Sequence, residues 1–155
     1  MVSPRHSSFD SARLPWVFPL TYLLHIAEEY WGGYPAHLLR VYGVDLSIKR
    51  FLLLQSIGIL LMVVGVVLAR RLRFTHFLLI MLAAVFLSNA LIHTTRSIMA
   101  VSYEPGLLSS LILWLPLGIA TLVQLPARMS RRRYLLSVIC GVIISAVVEL
   151  ITLRS

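Results

Sequence analysis

The 155-residue chain contains a single cysteine and only six acidic residues. One cysteine, Cys140, allows no intrachain disulfide and no cysteine-rich zinc or iron–sulfur site. Because Cys140 lies in an apolar run, we interpret it as a small packing residue. Charged residues of both signs make up only 13% of the chain, whereas soluble domains contain about 25%. The scarcity of charge argues against an ordinary soluble domain.

The chain is rich in apolar residues. They make up 59% of it, and its mean hydropathy is +0.88. A soluble domain of this length cannot bury that much apolar surface, so the sequence predicts an integral membrane protein. The formal net charge of +8 then reports on membrane topology rather than on phosphate binding, and we expect no nucleic-acid partner.

Apolar runs that cross a bilayer need about 20 residues. Four such runs are clear, and a fifth, the first in the chain, is interrupted by His25, Glu28 and Glu29. The expected spans are 14–30, 51–69, 74–93, 107–125 and 134–153. The sequence thus predicts a single all-α transmembrane domain over residues 1–155, a bundle of five transmembrane helices. The longest loop contains a turn signal followed by HLLRVYGV, which fits a short interfacial helix over the mouth of the bundle.

The distribution of Lys and Arg predicts the orientation, because these residues favour the cytoplasmic side. Nine of the fourteen fall on one side of the predicted topology, among them Arg5 near the N-terminus and Arg128 in the last loop. We therefore expect a cytoplasmic N-terminus and an external C-terminus in a cell or inner membrane. The apolar exteriors of the spans suit membrane lipid and a second copy of the chain equally well, which leaves a homo-oligomer open.

Polar side chains within the spans are few, and a charged one at membrane depth costs about 2.5 to 3.5 kcal/mol. They occur on four of the five spans, as His25, Glu28 and Glu29, then Gln55, then Asn89, His93 and Arg96, and finally Glu149. In the predicted topology these groups all lie in the outer half of the membrane. Four helices with randomly placed polar groups would seldom agree on the same half. We therefore expect a polar intramembrane pocket that opens to the outer side.

Three short strings lie along the chain in order. Residues 25–29 read HxxEE, residues 89–93 read NAxxH, and residues 103–106 read YxPG. Together they resemble the HXXEE-domain family of small membrane proteins, over most of the chain from the first span to the start of the fourth. The resemblance implies a polytopic membrane protein and suggests an enzyme, but it brings no substrate. Arg96 and Glu149 lie outside the strings, so their roles rest on physical argument alone.

Two imidazoles and two carboxylates on adjacent helices suit a divalent transition metal such as zinc, iron or manganese, with a position left for water or substrate. In this hypothesis His25, Glu28 and His93 are the metal ligands and Glu29 is the general base. The predicted function is metal-assisted hydrolysis of an ester or amide in a lipid-like substrate by an integral-membrane enzyme.

Further residues complete this hypothesis. Asn89 orients a ligand or polarises the substrate, and Arg96 or Tyr103 stabilises developing negative charge. Glu149 is expected to support a histidine or Arg96, or to act as an additional ligand, and Gln55 supplies the only amide of the second span.

The same residues also fit functions without a metal. Two neighbouring glutamates in a low dielectric cannot both ionise cheaply, so one holds a proton near neutral pH. Such an acid beside a neutral histidine suits an isomerase or cyclase of an isoprenoid or sterol-like lipid. Ion or proton transport is less favoured, because the inner half lacks charged groups. In a purely structural role, the glutamates would pair with His93 and Arg96 to hold helices together.

Overall fold

The computed structural model describes residues 13–126 and 129–154. These residues form six helices: α1 (Leu14–Trp31), α2 (Tyr34–Tyr42), α3 (Ile48–Arg71), α4 (Thr75–Met99), α5 (Leu107–Gln124) and α6 (Arg131–Leu153). The prediction of an all-helical protein is confirmed for this part of the chain. Arg5 and Arg128, which were counted in the prediction of membrane orientation, lie outside the described residues.

The described residues form one helix more than the five predicted. The additional helix is α2, which lies in the longest predicted loop. It is bounded by Gly33 and Gly43, whose φ angles of 72° and 69° are readily adopted by glycine. Its nine residues are too few to cross a bilayer, which takes about 20. The predicted total of five counted membrane spans only, and α2 forms where the HLLRVYGV string indicated a short helix.

Four of the helices are long and apolar enough to cross a membrane. They are α3, α4, α5 and α6, with 18 to 25 residues each, and they coincide with the second to fifth predicted spans. The first helix, α1, also forms where it was predicted. It is not among the four, because His25, Glu28 and Glu29 reduce its hydropathy. The described helices thus indicate a membrane protein with four candidate spans.

The central helix of the fold is α4, which packs against α1, α3, α5 and α6. Aromatic contacts join it to its neighbours. The ring of Phe86 lies 5.2 Å from that of Phe18 in α1 and stacks at 4.2 Å on Trp114 in α5. Because α4 is surrounded in this way, apolar residues on several of its sides are buried. The polar residues near its end are therefore held among other helices.

A π-helical turn interrupts α5 at Ser110–Trp114. Pro116 follows two residues later, and in a regular α-helix its ring would clash with the carbonyl group four residues earlier. The wider π turn accommodates this proline. The turn ends at Trp114, whose ring is buried between α1 and α4.

We expect Gly141→Ala to destabilise the packing of α6 on α4. An added Cβ would lie 2.4 Å from the carbonyl oxygen of Met81 and 2.7 Å from the Cβ of Ala84, so the helices would have to separate. Overpacking of this kind costs about 1–3 kcal/mol, which thermal unfolding in detergent measures as a lower Tm. The matched control is Gly65→Ala in α3, whose Cβ would meet only the side chain of Leu78, at 3.6 Å. Equal Tm values for the two variants would contradict the close approach.

Candidate functional site

The ends of α1 and α4 bring two histidines and a glutamate together. Oε1 of Glu29 lies 3.4 Å from Nε2 of His25 and 3.6 Å from Nε2 of His93. These residues are at most 3% exposed, and the three potential ligand atoms lie within 4.8 Å of one another. We call His25, Glu29 and His93 the His/Glu cluster. Two of its members were predicted as metal ligands and the third as a general base.

Glu28, the third predicted ligand, points away from the cluster. Adjacent residues of a helix lie about 100° apart around its axis, so only one of the two glutamates faces the histidines. The Glu28 carboxylate accepts hydrogen bonds of 2.7–3.1 Å from the backbone N–H groups of Gly106, Leu108 and Ser109. These groups form the N-terminus of α5, where a carboxylate is stabilised by free N–H groups and the helix dipole. Glu28 therefore joins α1 to α5.

Tyr103 contacts the same carboxylate. Its hydroxyl group donates a hydrogen bond to Oε1 of Glu28 at 2.5 Å. Burial and this hydrogen bond raise the pKa of Tyr103 to about 12. Tyr103 thus remains a proton donor at neutral pH, and its partner is Glu28 rather than the cluster.

Ser109 orients the ring of His25. The Ser109 hydroxyl group lies 2.8 Å from Nδ1 of His25 and 3.3 Å from the carbonyl oxygen of Gly106. The other ring nitrogen, Nε2, faces Glu29. This nitrogen has no hydrogen-bond partner among the described residues.

His93 lies between two carboxylates. Its Nε2 atom faces Glu29, and its Nδ1 atom lies 3.6 Å from Oε1 of Glu104. Glu104 is completely buried and accepts a hydrogen bond from the hydroxyl group of Tyr42. Burial raises the pKa of Glu104 to about 7, against the opposing effect of the nearby Arg96 charge. Glu104 therefore faces His93 from the side opposite Glu29, at a distance too long for a hydrogen bond.

Arg96 links this side of the site to α2 and α6. Its guanidinium group forms an ion pair with Glu149 and lies 3.4 Å from Oε1 of Glu104. It also donates a hydrogen bond of 3.0 Å to the hydroxyl group of Tyr34 in α2. Because two carboxylates compensate its charge, Arg96 serves as a bridge between helices rather than as a free cation facing the cluster.

Gln55 supports the cluster from α3. Its amide nitrogen donates a hydrogen bond of 2.6 Å to Oε2 of Glu29, and its amide oxygen accepts one of 2.5 Å from the hydroxyl group of Tyr22. Oε1 of Glu29 is thus the oxygen that faces both imidazoles. Asn89 lies one turn before His93 on α4 and lines a neighbouring cavity of about 320 Å³.

Three residues of the site received no role from sequence reasoning: Glu104, Gly106 and Ser109. Gly106 has a φ angle of 97°, and a Cβ there would lie 2.7 Å from Cε1 of His93 and 2.8 Å from Cε1 of His25. The YxPG string contains Glu104 and Gly106, so it carried a signal for both. Nothing in the sequence marked Ser109, a serine at the start of an apolar run.

The fold and the site define an all-helical protein with four candidate membrane-spanning helices and a buried His/Glu cluster. The sequence model of a family described as "Protein of unknown function with HXXEE motif" matches residues 16–121. The chain therefore belongs to this family, and the resemblance carried by the HxxEE, NAxxH and YxPG strings is confirmed. The matched region ends before Glu149. No curated protein and no solved structure matches the chain.

We expect Gly106→Ala to displace the imidazoles of His25 and His93, because the added Cβ would overlap both rings. The matched control is Gly43→Ala, which also places alanine at a positive φ angle but finds no atom within 4 Å. The φ angle of Gly43 is 69° and that of Gly106 is 97°, farther from the left-handed region that alanine tolerates. The difference between the two Tm values therefore reports the contact with the imidazoles together with the larger backbone strain at Gly106. We expect Gly106→Ala to be less stable by a further 1–3 kcal/mol or so, roughly the cost of overpacking. Identical losses of stability would contradict the contact.

Proposed function

We propose that this chain is an integral-membrane metalloenzyme that hydrolyses an ester or amide bond of a lipid-like substrate. His25, Glu29 and His93 would hold a divalent transition metal, which activates a water molecule. One observation carries the proposal: two buried imidazole Nε2 atoms and one carboxylate oxygen converge on the same space. No described residue donates a hydrogen bond to Nε2 of His25.

The spacing of these atoms supports a metal. Ligand atoms about 2.1 Å from a tetrahedral metal lie about 3.4 Å from one another, and the distances from Oε1 of Glu29 are 3.4 Å and 3.6 Å. Two histidines and a glutamate also form the ligand set of known catalytic zinc sites, with a fourth position for water. Nε2 of His25 has no hydrogen-bond partner among the described residues, and an unpaired polar atom in a buried site is unfavourable, so a bound cation would satisfy it.

The groups behind the cluster support the same proposal. A metal-bound histidine normally donates its other N–H group to an oxygen, which orients the ring and increases its basicity. Each member of the cluster has a polar neighbour on its far side, namely Ser109 for His25, Glu104 for His93 and Gln55 for Glu29. These neighbours come from α5, from the loop before α5 and from α3, so several elements hold the cluster together.

The proposed roles differ from the sequence-based hypothesis in three respects: the third ligand, the general base and the group that stabilises negative charge. Glu29 acts as a ligand in place of Glu28, because the Glu28 carboxylate is occupied by the N-terminus of α5. A bound metal lowers the pKa of its water to about 7, so no separate general base is required. Tyr103 and Arg96 are engaged with carboxylates. The metal itself would therefore stabilise the negative charge that develops on the substrate oxygen.

A metal held by His25, Glu29 and His93 would supply an activated water for hydrolysis. Overall, the carbonyl carbon of the substrate would gain the oxygen of water and lose its bond to the alcohol or amine, which would leave with the proton. Asn89 would orient the substrate, since it lies on the cavity wall one turn from His93.

The membrane arrangement is part of the proposal. We propose α1 as the fifth membrane-spanning helix, because it packs against α3, α4 and α5. Its polar residues contact groups on those helices and on the loop before α5. With nine of the fourteen basic residues on the side of the N-terminus, that side is cytoplasmic. The His/Glu cluster then lies in the outer half of the bilayer.

A metal-free acid–base site is the second candidate. The 3.4 Å between Nε2 of His25 and Oε1 of Glu29 also accommodates a shared proton. Such a pair would protonate an alkene of an isoprenoid or sterol-like lipid and remove a proton elsewhere, as an isomerase or cyclase does. The metal content of the protein distinguishes the two candidates.

The protein, purified in detergent without a histidine tag, is expected to contain about one equivalent of zinc, iron or manganese. Inductively coupled plasma mass spectrometry measures this content. His25→Ala, Glu29→Gln and His93→Ala should each lose the metal, because each removes a ligand. His76→Ala is the matched control and should retain it, since His76 does not belong to the cluster.

Metal retained by all three ligand variants, or lost equally from His76→Ala, would overturn the ligand set. No metal in the wild-type protein after incubation with zinc, manganese and ferrous iron would favour the acid–base candidate. The folded yield of every variant is measured by size-exclusion chromatography. Loss of folded yield without any bound metal in the wild type would instead indicate a structural role.

We expect Glu104→Gln to lower the affinity for the metal by about 10–100-fold, the usual effect of losing a group that orients a metal ligand. The neutral amide would hold His93 less firmly and make its ring less basic. Competition with a chelator measures the affinity. Glu149→Gln is the control, because Glu149 contacts Arg96 and not the cluster. Wild-type affinity in Glu104→Gln would rule out this role.

A further inference from the structure

The cavity of about 320 Å³ beside the His/Glu cluster is long and narrow. Along α4 its wall extends from Leu78 to Ile92, about 21 Å at 1.5 Å per residue. This is two thirds of the roughly 30 Å of a hydrocarbon core, whereas the volume is at the lower end of the range for ligand pockets, about 300 to 1,000 Å³. The walls are predominantly apolar. This shape suits one extended hydrocarbon chain better than a fused-ring lipid.

The cavity opens sideways between α3 and α6. These helices pack on different sides of α4 and make little or no contact with each other. On the rim, Leu61 of α3 is 65% exposed and Val148 of α6 is 54% exposed, whereas Phe86 of α4 at the base is buried. Both rim helices are candidate membrane spans. A ligand would therefore enter from the apolar part of the bilayer rather than from water.

Two N–H donors on residues that line the cavity have no partner among the described residues. The indole nitrogen of Trp114 is buried and forms no hydrogen bond, and the half-buried Asn89 amide forms none either. An unsatisfied buried donor such as the Trp114 indole costs about 1–3 kcal/mol, so an acceptor on a ligand would be favourable here. Both residues adjoin the cluster. Asn89 is one turn from His93, and the ring of Trp114 lies 3.8 Å from that of His25.

We propose that this cavity binds a single acyl chain, which enters from the bilayer between α3 and α6. The carbonyl oxygen at the polar end of the chain accepts hydrogen bonds from Asn89 and Trp114, next to the His/Glu cluster. The chain extends along α4 towards Leu78. That this carbonyl group is the one hydrolysed rests on the proposed function, but binding of the chain requires no metal.

Photolabelling in phosphatidylcholine nanodiscs tests the cavity. The probe is a palmitic acid analogue with a diazirine near the end of its chain and an alkyne for detection, and mass spectrometry locates the labelled residues. We expect labels near Leu78 and Leu61, at the apolar end of the cavity. Val148→Trp, which fills the opening, should reduce labelling about tenfold, equivalent to about 1.4 kcal/mol of binding. The adjacent Val147→Trp, on the same helix but outside the cavity wall, should leave it unchanged.

A second variant tests the polar end. Trp114→Phe keeps an aromatic ring against His25 and Phe86 but removes the N–H donor. We expect unlabelled palmitate to compete about tenfold less well in this variant, again a change of about 1.4 kcal/mol. Competition by hexadecane, which has no acceptor, should not change. Equal competition by palmitate in the wild type and in Trp114→Phe would overturn the assignment of the polar end.

Three other outcomes would overturn the acyl-chain assignment. One is labelling that is spread over the outer faces of the helices and is insensitive to Val148→Trp. Another is stronger labelling by a photoreactive sterol, which would indicate a fused-ring occupant. A third is a crosslinked dimer joined through α3 and α6, which would indicate a second copy. Labelling is also measured in His93→Ala, so that failure of the metal site, with labelling intact, is separated from failure of the cavity.

Discussion

The site depends on the burial of one ionisable group, the carboxylate of Glu29. A carboxylate that is 3% exposed among apolar helices needs hydrogen-bond donors, a counter-charge or a proton. Gln55 satisfies one oxygen. The other oxygen faces the Nε2 atoms of His25 and His93. A metal, or a proton held between these groups, would supply the positive charge that compensates this buried carboxylate.

The two adjacent glutamates of the HxxEE string have different partners. Glu29 belongs to the cluster, whereas Glu28 binds the N-terminus of α5. This contact brings Ser109 beside His25 and Gly106 against both imidazoles. The Glu28 carboxylate, although outside the cluster, therefore positions the groups that orient the cluster histidines. These contacts also explain why the HxxEE, NAxxH and YxPG strings occur together, since residues of all three are in contact at one end of the bundle.

Much of this arrangement could be predicted from the sequence. Long apolar runs predicted α3 to α6, and polar residues at matching positions predicted which helix ends would meet. The choice between Glu28 and Glu29 could not be predicted, because both lie broadly on the face of α1 that carries His25, and only the direction of α4 decides between them. Glu104 escaped prediction because the loop before α5 brings it against His93. The helix α2 depends on tertiary packing, as short helices generally do.

The polar groups differ in whether their hydrogen bonds are satisfied, and this difference distinguishes groups that hold helices together from groups that are free to contact a ligand. Buried ion pairs seldom stabilise a fold more than apolar residues of similar size, and a bundle that needed only stability would satisfy every buried group. Glu28 and Arg96 meet that standard, since each has several partners. The Nε2 atom of His25 and the indole nitrogen of Trp114 do not, although their rings are in contact. These atoms are two of the six buried side-chain atoms without a hydrogen-bond partner among the described residues. Both lie where the cluster meets the cavity, and this junction is where a substrate would complete the site.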